Sequence, residues 1–191
     1  MEQYCIDAVS AVDIAYFAGI EFNDIKNKII IDLGAGTGRI SLASAFLEAA
    51  FIISIDIDPD ALVILKQNSS RLHLEHVIFP VCADIKQFTL SKSCYGQTKL
   101  ITTIMNPPFG VQQKSADRAF LETAFSFSHI VYSIHLSHKG VKNFILRFIK
   151  KFSWEIDYIF PYQMILEQTY SFHKKKRKII DVDIYRFKKK D

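Results

Sequence analysis

Apolar runs and helix-period segments alternate along most of this chain. "KIIIDLG" (28–34) is β-branched and ends in glycine, the pattern of a strand buried on both faces. "GRISLASAFLEAA" (38–50) places Ile40, Ala43, Leu47 and Ala50 at helical spacing. A second strand is predicted over 51–58, and a helix over 59–70 with Pro59 at its start. Strands follow over 76–84 and, after a polar loop at 87–99, over 100–106. Residues 115–128 read as a helix with Ala116, Phe120, Ala124 and Phe127 on one stripe. A fifth strand (129–135) and a helix (139–152) end the alternation. Two further apolar runs, 154–166 and 178–187, flank "EQTYSFHKKKR" and predict a terminal hairpin.

Strands alternating with helices imply an α/β fold: a mostly parallel sheet with helices on both faces. The pattern gives seven strands, the last two forming an antiparallel C-terminal hairpin. The chain of 191 residues is read as one domain spanning 1–191. Its first 27 residues would form a helical cap, and 165–178 a basic hairpin loop. Ligands of such sheets bind at the carboxyl ends of the strands, near the point where strand order reverses. That rule gathers Asp32 to Gly38, Asp56, Asp84 and Asn106 to Gly110 at one crevice.

Composition adds little to this picture, and charge adds more. Hydrophobic residues at 49% and charged residues at 23% are ordinary for a globular protein. No apolar run reaches the length of a membrane span, and the acidic N-terminus lacks the basic start of a secretory signal. Three cysteines without a C-x-x-C pair suggest neither a disulfide framework nor a zinc site, and fit a reducing cytoplasmic compartment. The histidines at 129, 135 and 138 form no convincing metal set. Of the 24 Lys/Arg, nine fall within residues 174–191, beside three acids. A basic segment on a near-neutral body points to an acidic partner such as RNA. Lysines 188–190 read as a solvated tail.

The crevice residues suggest a chemistry. Gly34, Gly36 and Gly38 in "DLGAGTGR" would let backbone approach a ligand, at a spacing that differs from the dinucleotide G-x-G-x-x-G. Asp56 could accept hydrogen bonds from two ribose hydroxyls, and Asp84 could read an adenine edge. Each alone could be a turn or capping residue. Three at successive strand ends favour a nucleoside-bearing cofactor. In "NPPF" (106–109), the Asn106 side chain and the Pro107 carbonyl could each accept an N–H of a planar amine. Pro108 would stiffen the corner, and Phe109 would stack on a base.

"DLGAGTG", "DIDPDA", "CADI" and "NPPF", in this order, resemble the S-adenosylmethionine-dependent methyltransferases of the Rossmann-like class. "EQY", "NPPFG", "DRAFLETA", "VYSIH" and "FHKKK" are similar to the small ribosomal-RNA adenine-N6 methyltransferases of archaea and eukaryotes, the methyltransferase-like 5 group. The resemblance runs from about residue 2 to 187. It implies that Asp32 and the backbone at Gly34, Gly36, Thr37, Gly38 and Arg39 cradle the methionine end of S-adenosyl-L-methionine. Asp56 and Ile57 would hold ribose and adenine, Asp84 and Ile85 would contact the adenine, and Gln3 and Ile6 would close over the cofactor. Cys5 and Ile6 stand where the family usually has Pro and Thr, so a hydroxyl is lost at residue 6. "FHKKK" implies RNA contact by Phe172, His173, Lys174, Lys175, Lys176, Arg177 and Lys178. The resemblance also implies a small zinc-binding activator protein docked by strand addition at the sheet edge near "FIISIDI". Rival readings are methylation of guanine N2 in RNA, of DNA adenine or of a protein glutamine, and an inactive cofactor-binding RNA-binding subunit.

Overall fold

The computed structural model describes residues 5–91, 100–108, 116–167 and 177–190. The elements in chain order are β1 (Cys5–Ile6), α1 (Ala8–Tyr16) with a π-helical turn (Phe17–Glu21), β2 (Ile29–Leu33), α2 (Arg39–Phe46) and β3 (Phe51–Asp56). Then come α3 (Pro59–Arg71), β4 (Ile78–Cys82), β5 (Ile101–Met105), α4 (Ala116–Phe127), β6 (Ile130–Leu136), α5 (Lys139–Ile149), β7 (Trp154–Glu167) and β8 (Arg177–Lys189). One sheet holds all the strands in the order β1-β7-β8-β6-β5-β2-β3-β4. The five strands β2 to β6 run parallel to their neighbours in that group. The β7/β8 hairpin and β1 add on antiparallel.

The expected seven strands are present, and β1 is an eighth. Two residues cannot show a period. β1 exists because Cys5 and Ile6 pair with Glu167 and Leu166 across the whole chain. A second difference lies at the other end: Lys188 and Lys189 belong to β8, opposite Ile130 and Trp154, and are not a free tail. Hydrogen bonding to both neighbours carries the strand beyond its last buried residue, Phe187.

Alternation along the strands supplies two apolar layers. Ile30, Tyr132, Ile134 and Ile184 face α1, α2 and α3, where they meet Ile14, Ile40 and Leu65. Ile31, Leu33, Val131 and Phe187 face α4 and α5, where they meet Leu121, Phe125 and Phe148. Trp154 closes this second layer, stacked on Phe125 at 4.6 Å between ring centroids. The chain runs outward from β2 to β3 and β4, then returns to β5 on the other side of β2. Strand order therefore reverses at β2/β5, the place where a crevice opens in such folds.

Candidate active site

Leu33 and Met105 are register partners on β2 and β5, so Gly34 and Asn106 leave adjacent strands side by side. Leu33 is also level with Ile55, one residue before Asp56, and Asp56 is level with Cys82, two before Asp84. The four strand ends read from the sequence thus meet along one edge of the sheet.

The glycine turn is pinned from beneath. Gly34 and Ala35 N–H donate to the Ile55 carbonyl at 2.8 and 3.0 Å. Gly36 N–H donates to Asp56 Oδ2 at 2.7 Å, and Asp58 N–H to Asp56 Oδ1 at 2.9 Å. Asp56 is buried yet holds one donor per oxygen, which leaves lone pairs for further hydroxyl donors. Gly38 has φ 87°, and a Cβ there would come within 2.4 Å of Leu65 Cγ, so only glycine fits. Gly36 has φ 53°, but a Cβ there would meet nothing within 4 Å. That open space above the turn is where a ligand could approach the backbone. Ile57, 49% exposed, sits beside it as an apolar face. The Thr37 carbonyl accepts from Asn68 Nδ2 on α3.

Asp32 and Arg39 are engaged within the protein. Asp32 is buried on β2, and its Oδ2 accepts from the Ser41 N–H and hydroxyl at 3.0 and 2.6 Å. Ser41 Oγ also lies 2.7 Å from Ser54 Oγ. Asp32 thereby fastens the first turn of α2, which the glycine turn enters. Burial pushes its carboxyl up to about 7 against those two hydrogen bonds, and the Asp56 charge adds to the rise. Arg39 Nη1 donates to the Ile6 carbonyl, tying β1 to the same turn, and the Ile6 side chain is buried in the core. Asp84 Oδ1 accepts from Lys86 N–H at 2.9 Å, and the Ile85 carbonyl accepts from Thr123 Oγ1 on α4 at 3.0 Å.

At the corner after β5, Pro107 is buried and Pro108 exposed. Asn106 Oδ1 is buried and has no hydrogen-bond partner among the described residues. Gln3, Phe109, Gly110 and Phe172 through Lys176 lie outside the described residues; Arg177 and Lys178 begin β8. Two contributors were not read from the sequence. Phe120 of α4 packs over Gly34, and Asp117 in the first turn of α4 faces His135 of β6. The helical stripe had marked Phe120 only as core.

The TRM5/TYW2 methyltransferase domain matches residues 16–147 of this chain. The rRNA N6-adenosine-methyltransferase METTL5 of Danio rerio is 34% identical, an alignment that covers 98% of this chain and 88% of that protein. This chain belongs to that methyltransferase family. An uncharacterised protein of Methanocaldococcus jannaschii is 36% identical, over 99% of this chain and 85% of its own length. The crystal structure of a candidate RNA methyltransferase from Pyrococcus horikoshii superposes with a TM-score of 0.86 at 33% identity, covering 100% of this chain and 89% of that one. The mostly parallel α/β sheet read from the strand pattern and the methyltransferase family read from the motifs both stand. No helix among the described residues is long and apolar enough to cross a membrane.

Proposed function

We propose that this methyltransferase carries the methyl group of S-adenosylmethionine to N6 of an adenosine in structured ribosomal RNA. The observation that supports this most is the Asn106 Oδ1 atom. It is a buried acceptor without a partner among the described residues, at the end of β5 and beside the glycine turn. A lone buried acceptor is costly unless a donor arrives. The amine of a planar base is a donor of that kind. The relative from Danio rerio is named for this reaction.

The crevice fits the cofactor by its donor set and its room. The open space over Gly36, the buried Asp56 and the exposed Ile57 suit a nucleoside, with Asp56 accepting from the ribose and Ile57 flanking the base. Asp84 and Ile85, at the end of β4, would read the adenine edge. Bound there, S-adenosylmethionine supplies an electrophilic methyl group on a sulfonium sulfur. The adenosine amine is a poor nucleophile because its lone pair is delocalised into the ring. Asn106 Oδ1 and the Pro107 carbonyl would each accept one amine N–H, favouring a tetrahedral nitrogen with its lone pair free to attack. Pro107 fixes that carbonyl through its restrained φ. Phe109 would stack on the extruded base, and holding both reactants in line supplies most of the acceleration.

Residues 172–178 would grip RNA phosphates. A small zinc-binding activator would dock on β4, an edge strand of the sheet. There Phe51 and Phe79 form a part-exposed stacked pair with ring centroids 4.1 Å apart. We place the protein in the cytosol, which the free, exposed Cys82 suits. The test is methyl transfer from labelled cofactor to total rRNA, tRNA and DNA, followed by nucleoside analysis. N6-methyladenosine from rRNA is expected. A methylated guanine, or label confined to protein, would overturn the reading.

A further inference from the structure

Four buried side-chain polar atoms lack a hydrogen-bond partner among the described residues: Ser44 Oγ in α2, Asn106 Oδ1 just past β5, Asp117 Oδ1 in α4 and Tyr185 Oη in β8. Register sets β6 and β8 beside the end of β5. Met105 pairs with Ser133 on β6, Ser133 pairs with Tyr185 on β8, and His135 lies two residues further toward the same edge. His135 is 1% exposed. Its Nε2 is 2.7 Å from Ser133 Oγ, and its Nδ1 is 3.6 Å from Asp117 Oδ2. That separation suits a charge pair but exceeds a hydrogen bond. Neighbouring Arg118 pairs with Glu122 at 2.9 Å. Both oxygens of a largely buried carboxylate are therefore under-used, which folding alone does not favour.

Asp117 occupies the first turn of α4, just past the segment that starts at Asn106. Two ties of α4 run to the cofactor side, Thr123 to the Ile85 carbonyl and Phe120 to Gly34, while Phe125 packs on Trp154 and Phe187 away from it. The Asp117–His135 pair is the polar tie from α4 to β6, the strand beside the corner. Relying on the role of Asn106 argued above, we propose that Asp117 and His135 form a clasp that positions the Asn106–Pro107 corner for methyl transfer. In the clasp the Ser133 hydroxyl, 2.7 Å from Nε2, is the donor there, which leaves the ring proton on Nδ1, pointed at Asp117. A shift of under about 1 Å brings that proton into a hydrogen bond, as positioning contacts tighten when substrate engages. With the clasp closed, the first turn of α4 is fixed to β6, the strand beside the corner. These are positioning residues: they act through the corner and touch no reacting atom.

The experiment uses the full chain, labelled S-adenosylmethionine and total rRNA. His135→Phe should lower kcat about 10- to 100-fold, the scale of a small misplacement at a reacting centre. Cofactor Kd and the KM for RNA should stay within about twofold of wild type. His135→Gln keeps one donor and one acceptor and should recover most of the loss. Asp117→Leu should match His135→Phe, and the double variant should lose nothing more. A His135→Phe enzyme with wild-type kcat overturns the clasp. So does a Gln variant as poor as the Phe variant, or a loss that tracks cofactor affinity and melting temperature. Nitrogen NMR of labelled histidine tests the clasp without turnover. The Nδ1–H tautomer is expected at His135, and an Nε2–H tautomer refutes the proposal. If wild type makes a methylated nucleoside other than N6-methyladenosine, the substrate reading fails, while the same variant ratios still decide the clasp.

Discussion

Two sets of polar groups are buried against this sheet, and they are finished to different degrees. Between the N-terminal segment and the hairpin, Asp24 Oδ2 accepts from Tyr132 Oη at 2.6 Å and from Arg186 Nε at 2.9 Å. Arg186 Nη1 reaches Asp157 Oδ2, and its guanidinium lies 4.6 Å from the centroid of the Phe22 ring. The Asp24 carbonyl accepts from Thr102 Oγ1 at 2.7 Å. The register shift between Ile156 and Tyr158 takes Asp157 out of the ladder, in the manner of a bulge that re-aims a side chain. Burial raises the Tyr132 phenol well above its ordinary range, with the Asp24 charge adding to it. For Arg186, burial acts downward, but the Asp24 hydrogen bond and charge outweigh it and hold the guanidinium charged. Just past β5, in contrast, Asn106 Oδ1 is buried without a partner among the described residues, and so is Asp117 Oδ1 on α4. The satisfied set joins β6, β7 and β8 to the N-terminal segment; in the unsatisfied set Asn106 Oδ1 is the acceptor that wants a donor from outside. The comparison teaches that burial of polar atoms does not by itself mark a site. Incompleteness does.

The two sets should respond oppositely to mutation. Asn106→Ala removes the waiting acceptor. Methylation should fall by a factor of about 100 to 1,000 or more, the scale seen when one preorganised hydrogen-bonding group is lost. Cofactor affinity by calorimetry should stay nearly unchanged, and so should the melting temperature. Loss of cofactor binding instead would assign Asn106 to the wrong ligand. Arg186→Met does the reverse. It leaves Asp24 a buried carboxylate with Tyr132 Oη as its remaining side-chain donor and no countercharge, at a cost of about 3–5 kcal/mol of stability in denaturant titration. Turnover per folded molecule should hold. If Arg186→Met lowers kcat while stability is retained, the contrast between the two sets collapses.

A third prediction concerns residues the comparison leaves aside. Replacing Lys174, Lys175, Lys176, Arg177 and Lys178 with neutral residues should weaken RNA binding. It should also flatten the log–log salt dependence by up to about 4 in slope if every cation meets a phosphate. An unchanged slope removes this segment from the interface.

What could be read from the sequence divides along the same line. The run of Ile29, Ile30, Ile31 and Leu33 and the spaced glycines are local signals, and the β2–turn–α2 unit follows them closely. The convergence of Asp56, Asp84 and Asn106 followed from topology alone, because parallel strands present their carboxyl ends together. Helix α2 stops at Phe46, well short of the apolar pattern that suggested Ala50, because the chain must turn at Glu48, with φ 61°, to enter β3. The β1 strand, the Asp24–Arg186 pair and the Asp117–His135 pair were not legible. They join residues 162, 18 or some 160 positions apart, through packing that no local period records. In the sequence His135 was weighed among three histidines that make no metal set, and Asp117 carried no signal of its own.

Asp32 offers the smallest effect and stands between the two sets. Its carboxylate has partners, the Ser41 N–H and hydroxyl, yet burial still raises its folded pKa to about 7, well above the ordinary carboxylate range. A raised carboxyl pKa means the folded state binds the proton more tightly than the unfolded chain does. Asp32 therefore favours folding at low pH, and that contribution drains away as pH climbs from about 4 to about 7, then levels off. Asp7, whose pKa is lowered because its Ser10 and backbone hydrogen bonds outweigh burial, acts with the opposite sign and mostly below pH 4. Denaturant midpoints taken across pH 4 to 8 should carry this downward component in wild type, set against the opposite contribution of His129, whose pKa burial lowers. The downward component should be missing in Asp32→Asn, which keeps the shape and an acceptor for Ser41 but has no proton to lose. Identical slopes in the two proteins would mean that Ser41 holds Asp32 ionised throughout. Asp32 would then belong wholly to the satisfied set.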